Sequence, residues 1–468
     1  MKQGNSPADP LRVAIVGSGP AGFYAAEHLL KQQTIAVSVD MFDRLPTPFG
    51  LVRFGVAPDH QKIKKVTRVF ERVASNEAFR FFGNVEFGLH VRLPDLCRHY
   101  HQVCFATGAQ SDRRLGIPGE DLARSHPATE FVAWYNGHPD FCDARFDLSV
   151  ERVAVVGIGN VAVDVARILC RSVDELSRTD IADYALEALG ESRVREVFML
   201  GRRGPAQAAF TNAEIKELGE LAGADIVVIP EEVTIDRLSQ LEIDASEDPA
   251  IQRKVAILQQ YAGAACSGKQ RTLTIRFLVS PVELLADTGG GVAGMRLVKN
   301  ELRQASDGSL RPRPTDQFEE LPVDMVFRSV GYRGVQLSDL PFDEARGIIP
   351  NNAGRIVSPD TGEFQRGLYV AGWMKRGPTG VIGTNKPDAA ETVTAMIEDA
   401  VAGILLQPDQ TDSRQVESLV AERQPAFISY GEWKQIDEVE IERGAQMERP
   451  RVKFTSTVGM LAELGRDL

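Results

Sequence analysis

Gly17-Ser18-Gly19-Pro20-Ala21-Gly22 carries glycine at the first, third and sixth positions of one short run. That spacing lets a backbone turn tightly and come close to a pyrophosphate, with a helix N-terminus facing the negative charge. Asp43 follows about 20 residues after Gly22, where such a site places a carboxylate for ribose hydroxyls. A second run, Gly157-Ile158-Gly159-Asn160-Val161-Ala162, has alanine in the last position, so helix and strand can still pack closely but slightly further apart. Beyond it stands Gly201-Arg202-Arg203-Gly204-Pro205. Two guanidiniums at the place of an acid suit a ribose 2′-phosphate through charge-assisted bidentate bonds, which points to NADPH. The plainer meaning of Arg202-Arg203 is a solvated surface pair.

These residues need strands and helices to position them. Apolar patterning predicts a strand over 13–16, a helix over 21–30 and a strand over 36–42, a βαβ unit around the first run. The second run sits between a strand at 152–156 and a helix at 161–170, with a later strand at 194–200 leading into Arg202. Arg202 lies much further from its glycines than the usual ~20 residues, so the helix-like stretch 179–189 is expected to be an insertion. A charged helix at 249–262 and an alternating strand at 273–278 follow. A buried strand is expected at 368–371, then a helix after Thr379, and the polar tail from 407 is broken by short apolar helices.

With 468 residues, 43% of them hydrophobic, the chain can bury more than one core, and two domains are expected. A net charge of −12 argues against general nucleic-acid binding. No apolar run approaches the ~20 residues of a membrane span, and residues 1–11 show neither a signal h-region nor an arginine-rich amphipathic segment, so the cytoplasm is the expected location. Cys97, Cys104, Cys142, Cys170 and Cys266 are scattered, with no C-x-x-C and no metal spacing, and are expected to be reduced and mostly buried. Without a redox dithiol, disulfide-exchange chemistry is excluded and electrons must leave directly for an external acceptor.

Longer motifs add a resemblance. Pro48-Phe49-Gly50-Leu51-Val52-Arg53, Gly55-Val56-Ala57-Pro58-Asp59-His60, Gly159-Asn160-Val161-Ala162 with Asp164-Val165-Ala166-Arg167, the Arg202-Arg203 segment, and Gly372-Trp373 through Gly380-Val381-Ile382 together resemble the adrenodoxin reductase family of ferredoxin-NADP reductases across nearly the whole chain. The resemblance implies an α/β protein of two Rossmann-like dinucleotide-binding domains in a glutathione-reductase-like architecture. Its FAD domain is discontinuous, 1–110 and 338–468, with the NADPH domain, 111–337, inserted; Ala106-Thr107-Gly108-Ala109 looks like the crossing point. For FAD it implies Gly17, Gly19, Ala21, Gly22, Asp43, Leu51 and Phe87, with Trp373, Gly380, Val381 and Ile382 around the isoalloxazine; for NADP(H), Ile158, Gly159, Asn160, Val161, Arg202, Arg203, Glu214 and Gly380. The family more usually has glutamate at the position of Asp43, so the shorter acid is expected to reach the ribose through a water. Trp373 is expected to shield the flavin, its alternative being a core tryptophan. His60 and Asp164 are implied near the nicotinamide, either positioning a water or the ring or forming a structural hydrogen bond between domains.

The implied activity is transfer of electrons from NADPH through FAD to a ferredoxin-type iron-sulfur protein, without a membrane span or nucleic-acid partner. The alternatives are a diaphorase that reduces quinones without a protein partner, and a redox-sensing binding protein. Lys62, Lys64, Lys65, Arg68 and Arg72, with Ile63, Val66, Phe70 and Val73 on the opposite stripe, form either a solvated helix face or a docking surface; Arg253, Lys254, Lys269 and Arg271 form a second candidate for docking an acidic partner. The purified protein is predicted to be yellow and to release about one FAD per chain on denaturation; a folded, colourless preparation that takes up no FAD contradicts this.

Overall fold

The run Leu11-Arg12-Val13-Ala14-Ile15-Val16 is buried throughout, as a strand covered on both faces of a parallel sheet must be. In the computed structural model, which describes residues 10–246 and 248–466, it is the fifth strand of a seven-stranded sheet and the middle one of its five parallel strands. The order is Asn351–Asn352, Arg355–Val357, Phe364–Val370, Gln102–Phe105, Leu11–Val16, Val37–Phe42 and Phe79–Phe82. The last five run parallel, and the first two join them antiparallel. Helix Pro20–Lys31 lays Phe23, Ala25, Ala26 and Leu29 on one face of this sheet together with Met396 of helix Asn385–Ala402 and Trp433 and Ile436 of helix Tyr430–Gln446. Each fully buried large side chain of this kind contributes roughly 1.5–3 kcal/mol. The other face is packed by Leu96, Tyr100, Val416 and Val420.

The chain divides into two compact units, Met1–Ser111 with Asn136–Cys142 and Tyr332–Leu468, and Asp112–Tyr135 with Asp143–Gly331. The sequence expectation divides the chain at 110/111 and 337/338 and has no counterpart to the excursion 136–142. Its residues are bound inside the first unit: the His138 ring packs on Phe54 at 4.8 Å and Phe141 at 5.3 Å, Arg44 pairs with Asp140 at 2.6 Å, and Lys453 donates to the Asn136 carbonyl at 3.0 Å. The expectation for residues 1–11 falls largely on residues outside those described, as do the outermost ends of the 1–110 and 338–468 segments. No helix among the described residues is long and apolar enough to cross a membrane.

The second unit has a six-stranded parallel sheet, ordered Ser125–Pro127, Met325–Arg328, Arg152–Val156, Glu196–Leu200, Arg271–Arg276 and Ala224–Val228, and an antiparallel sheet of Val279–Ala286, Val292–Gln304 and Leu310–Leu321. Of the helix-like stretch expected over 179–189, the part from Asp183 is helical, as Asp183–Gly190, while a separate short helix, Val173–Leu176, precedes it. The charged helix occupies Pro249–Ala262, as the sequence predicts.

The tail is core material of the first unit. Helices Ser413–Arg423, Tyr430–Gln446 and Thr457–Glu463 bury Val416, Val420, Trp433, Ile436, Met460 and Leu461. Arg53 and Glu440, 4% and 0% exposed, form a bidentate pair, and the guanidinium also lies over the Trp433 ring at 5.0 Å. Breaking such a buried pair by removing one partner costs about 3–5 kcal/mol. The expected basic helix is in fact two pieces, Gln61–Lys64 and Thr67–Ala74; Phe70 and Val73 are buried, but Ile63 is exposed.

Burial pushes the His138 imidazole pKa down to about 4, with Asp140 opposing, and its Nδ1 accepts the Asp140 N–H at 3.2 Å, which a doubly protonated ring cannot do. The unfolded chain takes up this proton near the ordinary ~6.5. Stability is therefore full above that value and falls with pH towards the folded value, by at most about 1.4 kcal/mol per pH unit for this one group. His138→Asn, which keeps an acceptor, is expected to be less stable at neutral pH but to lose less stability between about pH 6.5 and 4.5, as read from denaturant unfolding across that range.

Candidate functional site

At the carboxyl end of Leu11–Val16 the chain must turn in very little space. Gly17 has φ +107°, and a Cβ on it would lie 2.5 Å from the Ala106 carbonyl oxygen. A Cβ on Gly22 would lie 2.1 Å from the Gly17 oxygen, so the helix can start against the strand only with glycine there. Around Gly19, by contrast, nothing lies within 4 Å of such a Cβ, and the first turn of Pro20–Lys31 presents its backbone N–H groups to that open space. A cradle that excludes side chains yet opens at a helix N-terminus fits a pyrophosphate.

Two further segments come onto this cradle. Phe49, with φ 84°, donates its N–H to the Ser18 carbonyl at 3.0 Å, and a Cβ on Gly50 would lie 2.9 Å from Gly19 Cα, so the short helix Leu51–Phe54 begins beside the loop. A non-glycine residue in this conformation is held there by its surroundings, and the Phe49 ring is packed against Phe23, Phe70 and Trp433. On the other side Gly372, φ +73°, crosses so close to the helix that a Cβ would sit 2.5 Å from Ala21 Cβ. Its N–H is taken by Asp388 Oδ2 at 2.6 Å, and Asp388 is balanced by Lys375 and Arg376 at 3.6 and 3.4 Å. Thus Gly17, Gly19, Ala21, Gly22 and Asp43 converge with the segments bearing Leu51 and Trp373.

The half-buried Trp373 ring stands against Tyr332 at 5.2 Å and donates its indole N–H to the Thr379 carbonyl at 3.2 Å, which fixes it to the loop leading into Gly380 and Val381. Val381 is an exposed apolar side chain, while Ile382 packs on the core. The α-helix expected directly after Thr379 begins at Asn385, preceded by one tight turn, Ile382–Thr384, because Gly380 at φ +82° closes back on Thr384. Phe87 packs edge-on to Phe105 at 5.2 Å, beside the strand end.

Asp43 is engaged more than the sequence suggests. Its Oδ2 accepts both the Ser18 N–H at 2.8 Å and the Ser18 hydroxyl at 2.5 Å, and Oδ1 accepts the Leu45 N–H at 2.9 Å. The carboxylate therefore holds the loop itself, with only its remaining lone pairs left for a ribose. His60 opens the helix Gln61–Lys64, its N–H bonded to the Ala57 carbonyl at 3.0 Å.

In the second unit the same local solution recurs. Gly157, φ +139°, would place a Cβ 2.2 Å from the Ser329 carbonyl oxygen, Gly159 is open, and Asn160–Cys170 starts there as a helix, with Ala162 fully buried at the last position of the run. The Ile158 carbonyl accepts the N–H groups of Ala209 and Phe210 at 3.1 and 3.2 Å, and Asn160 Oδ1 accepts that of Thr211 at 3.0 Å, tying the loop after Arg203 to the cradle; Val161 follows in the helix's first turn. Among the described residues, neither the exposed Arg202 nor the half-buried Arg203 has a carboxylate partner for its guanidinium. Burial, and then the charge of Arg202, holds the Arg203 guanidinium below its ordinary pKa, with Glu242 opposing. Positive charge in partly buried surroundings suits an anion.

Glu214 and Asp164 share a residue to which the sequence analysis gave no role. Arg167, fully buried, reaches Asp164 at 2.7 Å, Glu214 at 3.2 Å and Glu217 at 3.4 Å. The i,i+3 spacing of Asp164 and Arg167 on a helix is the sequence signal that could have found it. The second basic set is largely tied down: Lys254 donates to the Ala208 carbonyl, Lys269 to those of Leu221 and Ala224 at 2.6 and 3.2 Å, and Arg271 to that of Val194 at 3.2 Å. In the first set Lys62, Lys65, Arg68 and Arg72 are exposed. All five cysteines are free thiols, but only Cys104 and Cys170 are buried, and burial pushes both up to about 12; Cys266 is exposed.

Two glycine cradles, each at the end of a strand in the parallel part of a separate sheet, define a two-dinucleotide oxidoreductase of glutathione-reductase-like architecture. Residues 11–199 match the pyridine nucleotide-disulphide oxidoreductase model. The chain is 46% identical to NADPH-ferredoxin reductase FprA of Mycobacterium tuberculosis, over 97% of this chain and 98% of that one, and 42% identical to the mitochondrial NADPH:adrenodoxin oxidoreductase of Arabidopsis thaliana, over 97% and 95%. The solved structure of M. tuberculosis FprA in complex with NADPH superposes with a TM-score of 0.90 at 44% identity, covering 97% of this chain and all of that one. The chain belongs to this family of NADPH-ferredoxin and adrenodoxin reductases.

Asp43→Asn puts an amide where a carboxylate oxygen receives donors. Losing one bond to a charged acceptor, worth about 1.5–3 kcal/mol, is expected to weaken FAD retention roughly 10- to 100-fold and to lower the melting temperature of the FAD-free protein as well. Gel filtration followed by flavin quantitation, with melts of the stripped protein, checks both. A variant that loses FAD but melts unchanged would confine Asp43 to the ribose.

Proposed function

We propose that this protein is a ferredoxin–NADP(+) reductase that binds FAD at the first cradle and NADP(H) at the second, and delivers electrons to a ferredoxin-type iron-sulfur protein. The observation that carries this reading is the arginine pair without carboxylate partners beyond the second cradle, tied to it through Ile158 and Asn160. Held at the first cradle, FAD would supply the capacity to take a hydride from the nicotinamide and to release electrons singly.

The chain's own contribution is binding, alignment and charge. The first helix turn and Gly17-to-Gly22 loop hold the FAD pyrophosphate, and Asp43 keeps that loop closed through Ser18. Asp388 fixes the Gly372 backbone and so the exit of Trp373, whose ring is restrained by Tyr332 and Thr379 rather than packed into the core. Leu51, Phe87, Gly380, Val381 and Ile382 complete the proposed flavin surroundings. Arg167 holds Glu214 and Asp164 in place on the NADP(H) unit, which supports a positioning role for both. The names of the relatives, NADPH-ferredoxin reductase and NADPH:adrenodoxin oxidoreductase, support an iron-sulfur partner. The exposed Lys62, Lys65, Arg68 and Arg72 offer an acidic partner a basic face, whereas most of the second basic set is spent on backbone carbonyls. Free thiols at all five cysteines suit a reducing compartment such as the cytoplasm.

Arg203→Ala is expected to raise the Michaelis constant for NADPH roughly 10- to 100-fold while barely changing that for NADH, because one charge-assisted bond to the 2′-phosphate is lost. Steady-state ferricyanide reduction with each coenzyme measures this. Equal weakening of both coenzymes would mean that Arg203 holds the fold, and the NADPH assignment would lose its main support.

A further inference from the structure

Lys254 stands in the charged helix Pro249–Ala262 beside the exposed Arg253, yet its side chain turns inward. Its ammonium donates to the Ala208 carbonyl and lies 5.7 Å from the centre of the Phe210 ring. Ala208 belongs to the loop that runs from the arginine pair to Thr211, and the next two residues of that loop donate to the Ile158 carbonyl of the cradle. The helix grips the loop's far end as well, since Asn212 Nδ2 donates to the Ala250 carbonyl at 3.0 Å. The ammonium is thus fixed on the connection between cradle and arginines.

The electrostatics agree with this placement. Burial lowers the Lys254 pKa, Asp248 at the helix start opposes the shift, and Arg203 adds to it, so the lysine stands within the field of Arg203. Lys254 and Arg203, both partly buried, repel each other, the neighbouring exposed Arg202 acts on Arg203 in the same sense, and a doubly charged phosphate monoester relieves that repulsion. At Arg203 the opposing charge is Glu242 of helix Arg237–Ala245, whose carboxylate accepts from Gln207 Nε2 at 2.5 Å on the same loop.

We infer that Lys254 is a specificity-determining residue: anchored on the Ala208 carbonyl, its ammonium supplies a third positive charge for the coenzyme's 2′-phosphate. The inference rests on the NADP(H) assignment of the second unit. It separates Lys254 from Arg253 functionally, although the two are neighbours in sequence and read alike as basic surface.

The test uses the purified full-length flavoprotein and two probes that differ only in the 2′-phosphate, adenosine 2′,5′-bisphosphate and 5′-AMP, with dissociation constants from ligand-observed NMR titration. Lys254→Gln removes the charge and retains a donor for the Ala208 carbonyl. It is expected to weaken the bisphosphate about tenfold and leave 5′-AMP within about twofold, while Lys254→Arg keeps most of the discrimination. Equal weakening of both probes would make Lys254 a strut of the loop, and no weakening of either would remove it from the pocket; either result overturns the inference. If Lys254→Gln fails to fold, as judged by its melt, Lys254→Met is read in the same way. Arg203→Ala is titrated alongside. Should it also fail to discriminate the two probes, the NADP(H) assignment itself falls, whereas selective loss at Arg203 with none at Lys254 removes only the present inference.

Discussion

In each unit a carbonyl oxygen from the neighbouring strand's continuation points at the first residue of the phosphate loop: Ala106 at Gly17, Ser329 at Gly157. The contact leaves no room for a side chain, and the positive φ it demands turns the chain away from the sheet within one residue. From that turn follow the helix start, the direction of its free N–H groups and the open space at Gly19 and Gly159. The rest of each site is fastened to the same point. In the first unit the Phe49-Gly50 turn and the Gly372 crossing both bear on the loop, and in the second the Ala208-to-Thr211 loop bonds to Ile158 and Asn160.

Charge is used differently at the two cradles. Around the first, carboxylates are occupied by the chain's own donors: Asp43 by Ser18 and Leu45, Asp388 by Gly372 with Lys375 and Arg376, Glu440 by Arg53. These bonds fix backbone that would otherwise be strained or free. Around the second, Arg167 absorbs Asp164, Glu214 and Glu217, while the guanidiniums of Arg202 and Arg203 pair with no carboxylate among the described residues. The contrast fits the ligands proposed for the two cradles: rigid backbone donors suffice for a pyrophosphate, whereas a terminal phosphate monoester calls for net positive charge.

Much of this was legible from spacing alone. Both glycine runs, the strands before them, the helix at 249–262 and the insertion at 179–189 lie where periodicity puts them, because the local sequence suffices to specify such units. What spacing could not show is which donors a polar group finds across the fold. Asp43 reads as a ribose ligand until Ser18 is seen on it, Lys254 reads as surface until its ammonium is found on Ala208, and Arg167 is only one charge in an amphipathic helix until three carboxylates close on it. The 136–142 excursion was hidden for the same reason, since its partners Phe54, Arg44 and Lys453 are remote in sequence. The cysteines misled in the opposite direction: burial is frequent for the residue type, yet Cys97, Cys142 and Cys266 are not buried.

Strand Phe364–Val370 pairs with Gln102–Phe105, and Gln102 donates to the Tyr369 hydroxyl across 267 residues of chain. On a ribosome the first βαβ unit therefore emerges early but waits for a strand, for the helix Asn385–Ala402 and for Glu440 opposite Arg53. Contacts so distant in sequence close slowly, because the entropy of the intervening loop must be overcome first. Most of that loop is the second unit, with its own sheets and core, so it can collapse while the outer one is still open. Biosynthesis thus runs inside out: the unit begun first is finished last, and until then its half-built sheet exposes apolar edges to chaperones and proteases.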